Sequence, residues 1–439
     1  MRPIKLSCEY RLNPIGIDVK KPRLGWKLKS QERGKKQKAY QILVSSSLEN
    51  LMKNYGDLWD TGRVESDQSI NIVYHGKPLE SRMECWWKVR VWDEKDQVSH
   101  YSPPAMWEMG LLSEEDWQAN WIAMPEGAIE KPEGTPDDVG LPSPFLRKDF
   151  SLTKGIRKAR VYATALGLYK LYINGERVGE DWFAPGWTDY YKRIQYQTYD
   201  VTSMLKVGDN AIGAILGDGW YAGQVAHVGQ YHYGTHPLWL LLQMEVEYED
   251  GSRDVLISDD KWKGSTGPIL FSDFLMGETY DARLELEGWN YPAFDDRSWI
   301  FVESSRKPKF PVGKLVSQAD PPVKVMHQLS PVEISQPEPG TYIFDMGQNM
   351  VGWVRLKVSG EAGTKITLRF GEMLNGDGSL YTENLRTARQ TDVYILKGQG
   401  EEIYEPHFTF HGFRYVEVTG FPGSPKFHAI TGMVAYSDR

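Results

Sequence analysis

Asp218 stands between Gly217 and Gly219 and is followed at once by Trp220 and Tyr221. A carboxylate and two large flat rings on one short loop suit a neutral polyol. Planar polar groups hydrogen-bond its hydroxyls, and an aromatic face covers its apolar C–H patch. Trp187, in APGWTDYYKR, and Asn174, in LYINGERVG, offer the same two chemistries upstream. Asn174, Trp187, Asp218, Trp220 and Tyr221 are therefore the candidate ligand-binding residues. The side-chain oxygens of Asn174 and Asp218 are hard donors of the kind calcium takes, although no contiguous DxDxDG loop occurs. Each also has a plainer role. Asn174 opens an Asn-Gly turn that needs no ligand to explain it, and Asp218 can cap its loop.

Hydrolysis of a glycosidic bond would need two carboxylates held in a cleft with displaced pKa values. Glu278, Asp281, Asp345 and Glu372 are the conspicuous acids, and no spacing pairs any two of them. Capping a turn or pairing with a nearby Arg is the commoner role for each. His227, His232 and His236 lie on a Gly-rich, unpatterned loop, which is the wrong context for a helical zinc motif. They read as the rim of a ligand site or a solvent loop. No P-loop occurs, and no GxGxxG between a strand and a helix, so no nucleotide cofactor is expected.

Rigid strands must position these groups. Leu171 and Ile173 alternate with Tyr172, Asn174-Gly175 supplies two positive-φ residues for a tight turn, and the chain returns through Arg177 and Val178. A second strand, residues 210–216, runs into the Asp218 loop. The whole chain has this character. Its 439 residues suggest about three domains, and 16 Trp, 24 Tyr and 42 Gly favour strands and turns. A net charge of −8 with both signs interspersed argues against nucleic acid or an anionic membrane as partner.

The fold class read from these patterns is all-β, three tandem β-sandwich domains. Residues 1–112 form a fibronectin type III/Ig-like sandwich, residues 113–310 a jelly roll, and residues 311–439 a further β-sandwich. In CWWKVRVWD, Trp87, Val89 and Val91 share one face while Lys88, Arg90 and Trp92 share the other. Stacking of Arg on Trp on a sandwich face is an ordinary structural contact. Residues 123–144 are a Pro- and Gly-rich loop. Met244, Val246 and Tyr248 alternate with glutamates before an Asp250-Gly251 turn, and the segment 276–290 closes the middle domain. Residues 303–339 read as a connection with an edge strand. Ile366, Leu368 and Phe370 alternate with polar residues in a half-buried strand. Cys8 and Cys85 read as free thiols. The absence of a leader-like or membrane-spanning apolar run gives a cytoplasmic expectation.

LYINGERVG, APGWTDYYKRIQYQTYDVT and NAIGAILGDGWY, in that order and spacing, closely resemble the N-terminal β-domain of bacterial α-L-rhamnosidases, glycoside hydrolase family 78. NPIGID, GDLWDTGRVES and WKVRVWDE resemble the first domain of the same proteins. FDMGQNMVGWV, FGEML, ENLRTARQTDVYILKG and FTFHGFRYVEV resemble the β-domain that precedes their catalytic (α/α)6 barrel. The resemblance implies the carbohydrate-binding and scaffolding part of an enzyme that removes terminal α-L-rhamnose from glycosides and polysaccharides. Its catalytic acids would lie on that helical barrel, so none is carried onto this chain. It also implies a rhamnose-binding middle domain, in some members with calcium bridging protein and sugar, and a third domain that supports the barrel. Arg386, Arg389 and His411 would face that barrel. The partners expected are rhamnose-containing glycans and the barrel of the same parent protein. Two other readings stay open: a stand-alone rhamnose-binding lectin-like or scaffold protein, and a small β-sandwich glycosidase with its own acid pair.

Overall fold

Strands alternate because successive side chains point to opposite faces, and here nearly every periodic run of the sequence is one. A computed structural model describes residues 1–226, 228–308 and 312–438. His227 and the expected boundary at residues 310/311 lie outside the described residues. The fold is nearly all β, in β-sandwich-like arrangements of several sheets. The chain divides into two compact units: residues 1–118 with 197–199 and 315–319, and the remainder.

In the first unit, Gln37–Ser45 pairs antiparallel with Glu84–Asp93, which pairs in turn with Ala105–Glu108. A smaller sheet of Arg2–Cys8, Arg23–Lys29 and Ile72–Val73 supplies the rest of one core built round Trp26, Trp87 and Trp107. Trp87, Val89 and Val91 all point into it. On the opposite face the Arg90 guanidinium lies 5.1 Å from the Trp92 ring and 4.9 Å from Tyr101. Lys88 donates to the Leu51 carbonyl and to Asn54 Oδ1, each at 2.6 Å. The cations between aromatics are thus held by the unit's own contacts. Cys8 and Cys85 are free and buried in this core, where burial pushes both thiols well above their usual range.

The second unit contains two sheets from its first half. One runs in the order Glu176–Arg177, Leu168–Ile173, Gly208–Gly217, Pro144–Leu152, Lys263–Thr266, Ile300–Phe301. The other centres on Ile156–Leu166 paired with Trp239–Tyr248. Met244, Val246 and Tyr248 are buried, Gly251 takes the turn at φ +80°, and Arg253–Ile257 pairs back.

A ten-stranded sheet occupies the second half. Its main path is Ile269–Asp273, Gly277–Asp281, Thr391–Ile395, Lys365–Gly371, His411–Thr419, Thr341–Ser359, Ile430–Ser437, Val323–Leu329. Ile366, Leu368 and Phe370 are fully buried beneath it. Val323–Leu329 is its edge, and Glu333–Glu338 adds a further strand against Thr341–Ser359. The segment expected to close the middle domain does something different. Gly277–Asp281 pairs parallel with Thr391–Ile395 and so belongs to the C-terminal sheet. Polar satisfaction explains this, because the Glu278 N–H finds its acceptor, Asp392 Oδ1, only there, at 3.0 Å. One aromatic cluster then joins the halves, from Phe145, Leu168 and Trp289 to Trp353 and Phe408.

Two substitutions on one strand separate core from surface packing. Trp87→Ala should cost about 3–5 kcal/mol, since it empties a fully buried site, whereas Trp92→Ala, at a half-buried ring, should cost less, on the order of 1–2 kcal/mol. Urea denaturation of the two variants measures both.

Candidate functional site

The strand Gly208–Gly217 runs antiparallel to Leu168–Ile173, with Gly217 opposite Leu168. Beyond it the chain turns through Asp218 into the single helical turn Gly219–Ala222. Gly219 sits at φ +51°, and a Cβ there would fall 2.4 Å from Leu168 Cγ, so the turn needs glycine. The turn presents Trp220 at the rim. Its ring lies parallel to Trp187, with centroids 5.9 Å apart and planes within 4°. Trp220 packs on Phe274 at 4.4 Å, and Phe274 on Phe410 at 5.1 Å. These four rings, with Gln390 and His411, line a cavity of about 290 Å³. Trp187 is 53% exposed and donates from Nε1 to the Tyr233 hydroxyl at 3.2 Å.

Two other candidates stand behind this rim. Tyr221 is 2% exposed and meets Tyr190 edge-on, and burial pushes its phenol up to about 12. Asp218 is 4% exposed. Its Oδ1 lies 3.0 Å from His236 Nε2 without the alignment of a hydrogen bond, and its Oδ2 is buried without a partner. His232 packs edge-on against Tyr233.

Asn174 is elsewhere. It sits beyond Ile173, six residues along the strand from the Gly217 end, or about 20 Å at the usual strand rise. Its Nδ2 donates to the Met204 carbonyl and to Asn210 Oδ1, and its Oδ1 accepts from the Ala211 N–H. With φ +50° at Asn174 and +87° at Gly175, the side chain is fully engaged in its own turn. Asn174 and Asp218 therefore do not close on one calcium ion. Among the described residues no group of three His, Cys, Asp or Glu side chains is placed to hold a metal.

One buried side chain behind the cavity escaped the sequence reading. Asp273 is fully buried. Its Oδ2 accepts from the Gln224 N–H at 2.7 Å, and its Oδ1 from the N–H groups of Leu275 and Met276 at 2.8 and 3.0 Å. One carboxyl thus pins two of the cavity's walls. Burial pushes Asp273 up to about 6, and Asp218 adds to the shift against the backbone donors. An acid in the apolar run FSDFLMG was the available signal. His411, expected to face the barrel, is 1% exposed and lines the cavity. Its ring stacks on Phe370 at 4.1 Å, its Nε2 is 3.0 and 3.1 Å from the two Asp392 oxygens, and its Nδ1 is buried without a partner. Gln390 Oε1 is in the same condition.

Most of the remaining polar candidates have partners of their own. Arg389 pairs with Asp138 at 2.6 Å, and Arg386 ends a short 3-10 turn at φ +58°. Asp281 is held by Arg283 and Asp345 by Arg414, each through two contacts. Glu372 accepts from Asn349, and Glu278 is buried among donors considered below. These contacts do not pair any two of the four acids across a cleft.

Three family models cover most of the chain. Residues 3–113 match the Rha78A-like N-terminal immunoglobulin domain, residues 154–327 the α-L-rhamnosidase N-terminal domain, and residues 335–436 the bacterial α-L-rhamnosidase concanavalin-like domain. An α-L-rhamnosidase of Streptomyces avermitilis is 37% identical over 598 aligned positions, covering all of this chain and 57% of the relative. One from Formosa agariphila is 42% identical over 435, covering 97% of this chain and 46% of the relative. The chain spans about half the length of the curated relatives it matches. Among solved structures, the Streptomyces avermitilis α-L-rhamnosidase complexed with L-rhamnose superposes with a TM-score of 0.94 at 36% identity, over 99% of this chain and 57% of that one. The α-L-rhamnosidase from Dictyoglumus thermophilum gives 0.92 at 46%, over 100% and 49%.

The raised Asp273 carboxyl makes a signed prediction. Between its unfolded value near 3.8 and its folded value of about 6, the native state holds a proton that the unfolded chain has lost. This group's contribution to stability therefore falls as pH climbs from 4 to 6, by on the order of 3 kcal/mol. Asp273→Asn, measured against the parent chain by urea denaturation across that window, should remove this component. Parallel pH profiles for the two would refute it.

Proposed function

Because the chain belongs to the glycoside hydrolase family 78 α-L-rhamnosidases, as the N-terminal β-domain region of such an enzyme, we propose that it binds carbohydrate and scaffolds the rest of the protein. The ligand of the Trp187–Trp220 cavity is a terminal α-L-rhamnosyl unit of a glycoside or polysaccharide. The observation that carries this reading is the pair of parallel indoles at the mouth of a small, mostly apolar cavity with polar groups at its floor. A 6-deoxy sugar has a methyl-bearing apolar edge for the rings and hydroxyls for the polar groups. Asp218 and Tyr221 support the rim from behind, and Asn174 holds the turn at the far end of the strand.

The middle stretch is a jelly roll in this reading, built from its two sheets, and the C-terminal sheet docks the catalytic helical barrel of the parent protein. Val332, Val351, Met373, Ile403 and Phe427 are exposed apolar side chains of that region, and such side chains support a docking role where they are contiguous. Cleavage is assigned to that barrel, a reading supported by the engagement of Glu278, Asp281, Asp345 and Glu372 with partners of their own.

Calorimetric titration of the chain with L-rhamnose tests the site. Trp220→Ala should weaken binding by about 1–3 kcal/mol, the scale of ring stacking on an aromatic side chain, and unchanged affinity would remove the ring from the site. Added EDTA should leave the same titration unaltered, whereas lost binding would put an ion there. The chain alone should release no nitrophenol from nitrophenyl α-L-rhamnoside. Turnover that survives repurification would place a catalytic pair within the β-domains.

A further inference from the structure

A larger cavity of about 570 Å³ lies elsewhere in the second unit and shares no residue with the first. One of its edges is built round the Glu278 carboxylate. Oε2 accepts from Ser272 Oγ at 2.8 Å and from the His407 N–H at 2.7 Å, while Oε1 accepts from the Tyr404 hydroxyl at 3.2 Å and lies 3.0 Å from His407 Nδ1. Burial alone would push this carboxyl up, but His407 and the surrounding donors outweigh it and hold Glu278 below its usual range.

The carboxylate at Nδ1 makes that nitrogen the donor, so Nε2 is the ring nitrogen left for the cavity. The ring cannot swing, because Tyr280 stacks on it at 5.4 Å and 5°, and Tyr394 stacks behind Tyr280. The His407 side chain is one-fifth exposed, and it lines the cavity with no protein partner on Nε2. Tyr404, Ser272 and backbone N–H groups share the carboxylate with the imidazole.

The cations at this cavity are paired, and Glu287 adds a further acid to its lining. Glu285 accepts from the Tyr280 hydroxyl at 3.0 Å and pairs with Lys397 at 2.6 Å. Arg283 is held by Asp281. Tyr172 and Trp289, edge-to-face at 5.6 Å, form an apolar wall. Paired cations leave little net field for an anion, while the Glu285–Lys397 pair keeps unused hydrogen-bonding capacity.

We propose that this cavity is a second binding site, for a neutral glycosyl unit, in which His407 Nε2 accepts a hydrogen bond from a ring hydroxyl and the Glu285–Lys397 pair brackets neighbouring hydroxyls. The choice of a glycan as ligand rests on the function proposed above, whereas the site itself rests on its own residues. His407 is a specificity residue and Glu278 the group that positions it.

Long-range proton–nitrogen spectra of the histidine-labelled chain test this directly, with methyl α-L-rhamnopyranoside and D-glucuronate as probes. The free chain should show His407 protonated on Nδ1, and its Nε2 resonance should move and saturate with the methyl glycoside. His407→Phe, which keeps the stacking on Tyr280, should weaken that binding by about tenfold. Trp220→Ala should leave the His407 response unchanged even where it abolishes binding at the first cavity, so the two readings fail separately. No Nε2 response to the glycoside, a response to glucuronate alone, or loss of the response in Trp220→Ala would each overturn the second site.

Discussion

A buried carboxylate is tolerable only when donors surround it, since leaving the charge unpaired costs several kcal/mol. Glu278 meets that condition by drawing donors from Ser272 nearby and from Tyr404 and His407 far along the chain, while its own N–H donates to Asp392. Asp392 in turn faces His411. The parallel pairing of Gly277–Asp281 with Thr391–Ile395 brings these acids together on neighbouring strands, and each acid orients one imidazole. Both cavities inherit their polar edge from this single pairing.

The hairpin of Ile269–Asp273 and Gly277–Asp281 is the shared wall between them. Its turn carries Asp273, Phe274 and Leu275, which brace the tryptophan cavity from within. The returning strand carries Glu278 and Tyr280, which brace His407. The two sites are thus chemically separate but mechanically supported by one element. Rigid elements suit sugar recognition, because a ligand that offers mainly hydroxyls and one apolar patch rewards groups already in position.

Local pattern explains much of the fold's legibility. Trp87, Val89 and Val91, or Ile366, Leu368 and Phe370, declare their buried face by period two alone. The Asn174-Gly175 turn is equally plain from its dipeptide. The site was only half legible. Trp187 and Trp220 are large rings in polar loops and meet as partners, but the use of Asn174 was decided by Asn210, thirty-six residues away. The role of Glu278 was hidden further still. In the sequence it reads as one of several conspicuous acids, and its donors Tyr404 and His407 lie well over a hundred residues downstream. Periodicity reports which face is covered and is silent on which distant strand covers it. That is why a segment that looked like the end of one domain proved to be part of the next sheet.

The same sequence separation, 114 residues from Glu278 to Asp392, sets an order of events during synthesis. The hairpin emerges from the ribosome long before the strand that completes it, and for that interval Gly277–Asp281 is an open sheet edge. Non-local pairing of this kind is slow to form, and exposed edges invite pairing with other chains. A charged glutamate in the middle of such an edge discourages that pairing, because a foreign strand would have to bury it without partners. The residue that anchors the finished sheet thus also guards the unfinished one against aggregation.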